Sequence, residues 1–295
     1  MAQELSSAGA PGVIPPGALA HVPGCEAGIR PHAIATLPGG SVNKSFRLDT
    51  SAGCFVLRLN DAAGAALGAH HAREVQLHGA AARCGIAPEL IYADLGERFM
   101  VMRYVPGAVW GARDLGHPQR LAELGATLRT LHAITPPSVA AFDLAAILQA
   151  HAAKLIEALP AERGLLQSLI YRADAVLAHC ASAGRAAMIV HNDLSHLNLI
   201  QAERLYLIDW EYAAVADPIF DLACVLAYYP QAEPYAQELL DATGLAAQVS
   251  IAELLSARFV FVLVSFLWYR RRRLLGEVAA ADRAAEHALL ERLSE

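Results

Sequence analysis

The segment His191-Asn192-Asp193-Leu194-Ser195-His196-Leu197-Asn198, followed by Leu207-Ile208-Asp209-Trp210-Glu211-Tyr212, decides how this chain reads. Two short apolar bursts, Met188-Ile189-Val190 and Leu205 to Ile208, flank a polar loop, the pattern of two brief strands holding a connection between them. The loop sets an acid, Asp193, and a carboxamide, Asn198, five positions apart, and a second acid, Asp209, ends the following strand. Any one of these alone would pass as a helix or turn cap. Together they offer a carboxylate able to orient or deprotonate a hydroxyl, and hard oxygen donors able to hold Mg²⁺ against phosphates.

The segments on either side differ. Upstream, Ser45 to Asp49 and Cys54 to Asn60 alternate like paired strands joined across Thr50-Ser51-Ala52-Gly53, which predicts a β-hairpin. Leu67 to Cys84 predicts a helix ended by Gly85, and Pro88 to Asp94 and Arg98 to Tyr104 predict two further strands. Beyond Pro106-Gly107 the periodicity turns helical. Leu121, Leu124, Leu128 and Leu131 recur as one buried face requires, and 143–159 and 164–183 continue the pattern. The expected class is α+β: residues 31–105 form a small β-sheet lobe with one helix, and residues 106–295 a larger, mostly helical lobe. Residues 1–30, rich in Ala, Gly and Pro, are expected to be a flexible arm.

The 295 residues are 55% hydrophobic and 18% charged with a net charge of -6, which fits a folded globular chain and offers no basic footprint for nucleic acid. A small-molecule partner is expected instead. Five cysteines, at 25, 54, 84, 180 and 224, contain no C-x-x-C pair, so reduced thiols fit better than a disulfide framework or zinc knuckle. No Lys or Arg precedes Arg30, and Pro11, Pro15, Pro16 and Pro23 break the early apolar residues, unlike a signal peptide. The longest apolar run, Phe259 to Tyr269, is shorter than the roughly 20 residues of a bilayer span and predicts a buried core helix. A cytoplasmic location and no membrane span follow as expectations. His70 and His71 would point about 100° apart on a helix, so a solvated pair is expected rather than a shared metal. Arg270 to Arg273 predicts a solvated helix end.

Three motifs, H-N-D-x-x-x-x-N at 191–198, I-D-W-E-Y at 208–212 and D-P-x-x-D-L-A at 217–223, resemble those of the choline kinase, thiamine kinase and aminoglycoside phosphotransferase superfamily. The resemblance extends roughly from Leu37 to Tyr229. It implies a bilobal protein-kinase-like fold that uses ATP and Mg²⁺, with Asp193 as catalytic base and Asn198 and Asp209 as Mg²⁺ ligands. Asp221 would brace the catalytic loop, and His191 would organise it by hydrogen bonding. The G-G-x-x-N pattern at 39–43 resembles the family's phosphate loop, which places Gly40, Ser41 and Asn43 at the nucleotide. Arg58 falls where many kinases carry a phosphate-binding Lys, with Glu74 as its helix partner. An Arg keeps the charge and adds bidentate geometry. Met102 to Val105 would be the hinge, through the C=O of Arg103 and the N–H of Val105.

The superfamily does not fix the acceptor. Trp210, Glu211 and Tyr212 directly after Asp209, and Trp268 on a late helix, are residue types that cage a quaternary ammonium, although each ring would also serve as core packing. The H-N-D and D-W-E-Y forms resemble choline kinases more than antibiotic kinases. A small cationic alcohol is the expected acceptor, choline first, with thiamine and amino sugars as alternatives, bound by a monomer or homodimer. A catalytically silent nucleotide-binding module is disfavoured by the presence of Asp193, Asn198 and Asp209 together. A protein kinase is disfavoured by the lack of an H-R-D, D-F-G and A-P-E set.

Overall fold

Alternating apolar and polar residues build the N-terminal sheet. In this computed structural model, which describes residues 14, 15, 17–38, 43–61, 64, 66–276 and 280–294, the strands are β1 (Ala33–Leu37), β2 (Lys44–Thr50), β3 (Gly53–Leu59), β4 (Leu90–Ala93) and β5 (Phe99–Arg103). They form one antiparallel sheet in the order β1-β2-β3-β5-β4, with Thr50 opposite Gly53 at the hairpin end. Phe46 and Leu48, Phe55 and Leu57, and Phe99 and Val101 stand two apart on their strands, so all six bury one face.

That face is covered by a segment expected to be loose. Ala18–His21 and Glu26–Gly28 form short 3₁₀ turns, and Ala18, Val22 and Cys25 are buried against the sheet. His21 stacks on Tyr92 at 3.7 Å between ring centroids. Residues 17–29 are therefore docked rather than a free arm, because their few apolar side chains complete the core of the sheet; residues 1–13 lie outside the described residues.

The other face packs on α1 (His71–Arg83). The helix begins four residues later than the sequence suggests. Gly68 takes φ 104°, a left-handed conformation that halts a helix, and His70 caps α1 by accepting from the Arg73 N–H at 3.3 Å. His71 is not solvated. It is buried, with Nδ1 3.0 Å from Glu74 Oε2.

The chain then leaves the sheet, and β6 (Ala108–Val109) joins β8 (Leu199–Gln201) and β9 (Leu205–Leu207) in a second small sheet. A two-stranded pair, β7 (Met188–Val190) and β10 (Ala214–Ala216), brackets the polar loop. Around them pack α2 (Pro118–His132), α3 (Leu144–Ala158), α4 (Arg163–Ser182), α5 (Ile219–Tyr228), α6 (Ala236–Thr243), α7 (Ile251–Leu275) and α8 (Ala280–Leu293). By length and apolar composition α7 is long enough to cross a membrane. In the fold it is the central helix, packed on α3, α4, α5 and α8, with Phe259 to Leu263, Phe266 and Leu267 buried. Its basic end is not a solvated run either. Arg270 pairs with Glu162 and Glu286, and Arg272 with Asp282, which fastens α8 across α7.

Candidate active site

The loop after β7 is held from beneath by α5. Asp221, fully buried in the first turn of α5, accepts at Oδ1 from the backbone N–H groups of His191 and Asn192, each at 2.9 Å. Its Oδ2 lies 2.9 Å from Nε2 of His132 on α2. His191 accepts from the Asp193 N–H at Nδ1, 3.3 Å, and places Nε2 3.0 Å from the Ile208 carbonyl oxygen. One nitrogen accepting and the other facing a carbonyl assigns the neutral Nε2–H tautomer. Burial lowers the ring's pKa to about 4. His191 thus ties the two halves of the site together and carries no charge. Asn192 and Asp209 take φ of 62° and 63°, a region that Asn and Asp tolerate better than other side chains.

Both carboxylate oxygens of Asp193 are held. Tyr228 Oη donates to Oδ1 at 2.8 Å, and Asn198 Nδ2 donates to Oδ2 at 2.8 Å. Burial first, and the charge of Asp209 second, push this carboxyl up to about 7. The amide nitrogen of Asn198 is used on Asp193, which leaves its oxygen as a hard donor, and Asn198 and Asp209 line the same cavity. Among the described residues no group of three or more His, Cys, Asp or Glu gathers as a metal site. One carboxylate and one carboxamide oxygen suit Mg²⁺, which takes few protein ligands and shares the rest with phosphate and water.

Arg58, on β3, joins the two lobes. Nη2 lies 2.6 Å from Glu74 Oε2 on α1, and Nη1 lies 2.8 Å from Asp209 Oδ1. Burial opposes this charge, but Glu74 and Asp209 outweigh it and hold the guanidinium protonated. Glu74, also opposed by burial, is held at about 2 by Arg58 and His71. Asn43 follows the glycine pair and reaches the other lobe, donating from Nδ2 to Glu211 Oε2 at 2.7 Å. Gly40 and Ser41 lie outside the described residues. At the end of β5 the Arg103 side chain is exposed and paired with Glu89, and Val105, two residues on, is half-buried.

A cavity of about 600 Å³ opens on Asp193, Asn198 and Asp209 and is walled by Glu211, Tyr212 and Trp268. Trp268 Nε1 donates to Tyr212 Oη at 2.9 Å. Burial, and after it the Asp209 charge, push the Glu211 carboxyl up to about 8. Trp210 does not join this wall. It is 0% exposed, donates from Nε1 to the Leu207 carbonyl at 3.0 Å, and packs its ring 4.7 Å from that of His191. The expectation that Trp210 faces an acceptor is corrected: the left-handed turn at Asp209 sends the indole into the core, under the loop that follows β7.

Tyr228, Cys224 and His132 carry contacts that the sequence motifs did not single out. Cys224 Sγ sits 3.4 Å from the Leu194 N–H and 3.5 Å from the Asn192 carbonyl oxygen. Asp221, Cys224 and Tyr228 stand at i, i+3 and i+7, one stripe of a helix, and that spacing was visible in the sequence.

Residues 33–255 match the phosphotransferase enzyme family, and the chain belongs to that family. Its fold is shared with a choline/ethanolamine kinase family protein from Mesorhizobium loti, at 24% identity and TM-score 0.75 over 94% of this chain and 91% of that one. Choline kinase LicA from Streptococcus pneumoniae superposes with TM-score 0.76 at 18% identity, over 92% and 96% of the two chains. A spectinomycin phosphotransferase superposes with TM-score 0.60 at 13% identity, over 88% and 89%. In sequence, Protein LicA of Haemophilus influenzae is 51% identical over 37 residues, which span 12% of this chain and 14% of that protein.

Proposed function

We propose that this protein transfers the γ-phosphoryl group of ATP to the hydroxyl of a small cationic alcohol, choline first. One observation carries the proposal: Asp193, with both oxygens oriented by Tyr228 and Asn198, faces the same cavity as Asp209. The acceptor oxygen attacks the γ-phosphorus, the bond to the β–γ bridging oxygen breaks, and ADP leaves. The hydroxyl proton passes to Asp193, whose raised pKa suits a base working near neutrality. Arg58 brings a fixed positive charge to the phosphate side. Asn198 and Asp209 would hold Mg²⁺, which neutralises charge on the β- and γ-phosphate oxygens.

The wall of Tyr212, Trp268 and Glu211 supports a cationic acceptor, since a cation gains from aromatic faces and draws the Glu211 proton off. The cavity volume favours thiamine as the second reading, because about 600 Å³ falls within the range that holds drug-sized ligands. ADP release with Mg-ATP and, in turn, choline, thiamine, ethanolamine and a kanamycin-like amino sugar tests both. Choline or thiamine should give the highest kcat/KM. An amino sugar as best substrate would overturn the acceptor assignment, and no alcohol-stimulated ADP release would overturn the phosphotransfer assignment.

A further inference from the structure

Arg73 occupies the first turn of α1, next to Glu74, and lines the acceptor cavity. It is 4% exposed. Nε donates to the Ala213 carbonyl at 2.8 Å, and the guanidinium carbon stands 5.2 Å from the centroid of the Phe142 ring. Ala213 directly follows Tyr212, and Arg73 lines the same cavity as Glu211 and Tyr212.

Two neighbouring arginines have counter-charges: Arg58 has Glu74 and Asp209, and Arg272 has Asp282. Among the described residues Arg73 has none. Burial lowers its pKa and no neighbouring charge offsets the shift. A buried charge without a counter-ion is costly, and only one of the five guanidinium N–H donors is used by Ala213. The terminal nitrogens are not among the buried unpartnered atoms, so their donors reach the cavity space. A planar, permanently charged fork in a cavity matches a carboxylate or phosphate, to which it can donate two parallel bonds.

We propose that Arg73 is an oxyanion-binding residue of the acceptor cavity. The inference rests on the phosphotransfer assignment for the same cavity and adds a charge requirement to it. The oxyanion has two possible sources: a carboxylate carried by the acceptor alcohol itself, or the phosphate of the phosphorylated product before release. Both present the same chemistry to the guanidinium.

Serine and ethanolamine separate the sources, because they share a hydroxyl and an ammonium and differ by one carboxylate. Their kcat/KM values with Mg-ATP would be compared in wild type, Arg73→Gln and Arg73→Lys, alongside inhibition of choline turnover by phosphocholine. If the acceptor carries the oxyanion, wild type prefers serine, and Arg73→Gln reduces that preference by about tenfold to a hundredfold through KM, the scale of a lost charged hydrogen bond. If the product carries it, serine has no advantage and phosphocholine inhibition weakens by about tenfold or more in Arg73→Gln. Arg73→Lys should recover part of either effect, and it serves for the same comparisons if the Gln variant does not fold. Unchanged preference and unchanged inhibition in variants that melt like wild type would overturn the inference. A wild type that releases no ADP with any alcohol refutes the phosphotransfer assignment separately. Arg73 is then tested by the rise in melting temperature with phosphocholine, which Arg73→Gln should lose and whose absence in wild type counts against the site.

Discussion

The hydroxyl of Tyr228 donates to Asp193 Oδ1 at 2.8 Å, which joins the last turn of α5 to the acid of the loop after β7. Asp221, in the first turn of the same helix, holds the backbone of that loop. One rigid element therefore sets both the position of the loop and the rotamer of Asp193.

Replacing Asp193 by Asn should leave nucleotide affinity largely intact and lower kcat by about 10² or more, the scale of positioned acid–base catalysis. Turnover close to wild type would remove Asp193 from that role. A base works only when deprotonated, and the free-enzyme carboxyl sits at about 7, so kcat/KM should rise with pH up to about 7 and level off above it. The Tyr228 bond lowers that pKa. Tyr228→Phe should accordingly move the rising limb to higher pH, which a pH–rate profile of the two proteins would measure.

The strands and helices were legible because each segment keeps one period: Phe55 and Leu57 alternate on β3, and Leu121, Leu124, Leu128 and Leu131 recur along α2. The order of Asp193, Asn198 and Asp209 was legible because a loop between two strands brings near neighbours together. Contacts between distant segments were not. Asn43 meets Glu211 across 168 positions and His132 meets Asp221 across 89, and no local pattern encodes such pairs. Trp210 misled for a related reason. Residue type identifies an indole, but the backbone turn at Asp209 decides which way it points.

Glu74 and Asp209 share Arg58 but should respond differently to mutation. Glu74 is fully buried and holds both Arg58 and His71, so Glu74→Ala leaves Arg58 only the part-exposed Asp209 and His71 without its carboxylate, and should cost about 3 kcal/mol of stability by denaturant titration. Asp209 has a side chain 32% exposed, and Arg58 keeps Glu74 when it is lost. Asp209→Asn should therefore cost little stability and instead weaken Mg²⁺-dependent ATP binding by calorimetry, since a hard cation loses its anionic ligand. Equal destabilisation by both variants, with ATP binding unchanged in Asp209→Asn, would contradict the division.

His191 should remain neutral wherever the enzyme is folded and active. Its folded pKa of about 4 lies below the roughly 6.5 of an unfolded histidine. The stability it contributes is complete above about 6.5 and is lost as pH falls toward 4, where the unfolded chain takes up the proton first. Asp193 and Glu211, whose pKa values are raised, act in the opposite sense over the acid range. Nitrogen NMR of the ring should show an Nε2–H tautomer unchanged from pH 8 to 5. A titration centred near 6.5 in the folded protein would show that the bonds to Asp193 and Ile208 do not hold the ring.

The two tryptophans should separate by phenotype. Trp210 is sealed beneath His191, so Trp210→Ala leaves a cavity in the core and should cost about 3–5 kcal/mol, seen as a large drop in melting temperature. Trp268 is partly open to the cavity proposed for the acceptor and bonded to Tyr212, so Trp268→Ala should fold and should raise KM for a cationic acceptor. A cation over an aromatic face gains about 2 kcal/mol when desolvated, which corresponds to roughly tenfold or more in kcat/KM for choline. The loss should be smaller for ethanolamine, whose primary ammonium can use hydrogen bonds to Glu211 in place of a π face. Arg272 lies 5.2 Å from the Trp268 ring centroid and is tethered by Asp282, so a cationic acceptor shares that ring with a fixed guanidinium. Asp282→Ala should therefore free Arg272 to compete for the ring and raise KM for choline without changing kcat. Steady-state kinetics of Trp210→Ala, Trp268→Ala and Asp282→Ala, each with its melting curve, would decide it. A stable Trp210→Ala protein, or a folded Trp268→Ala protein with full choline activity, would mean that the wrong ring has been placed at the acceptor.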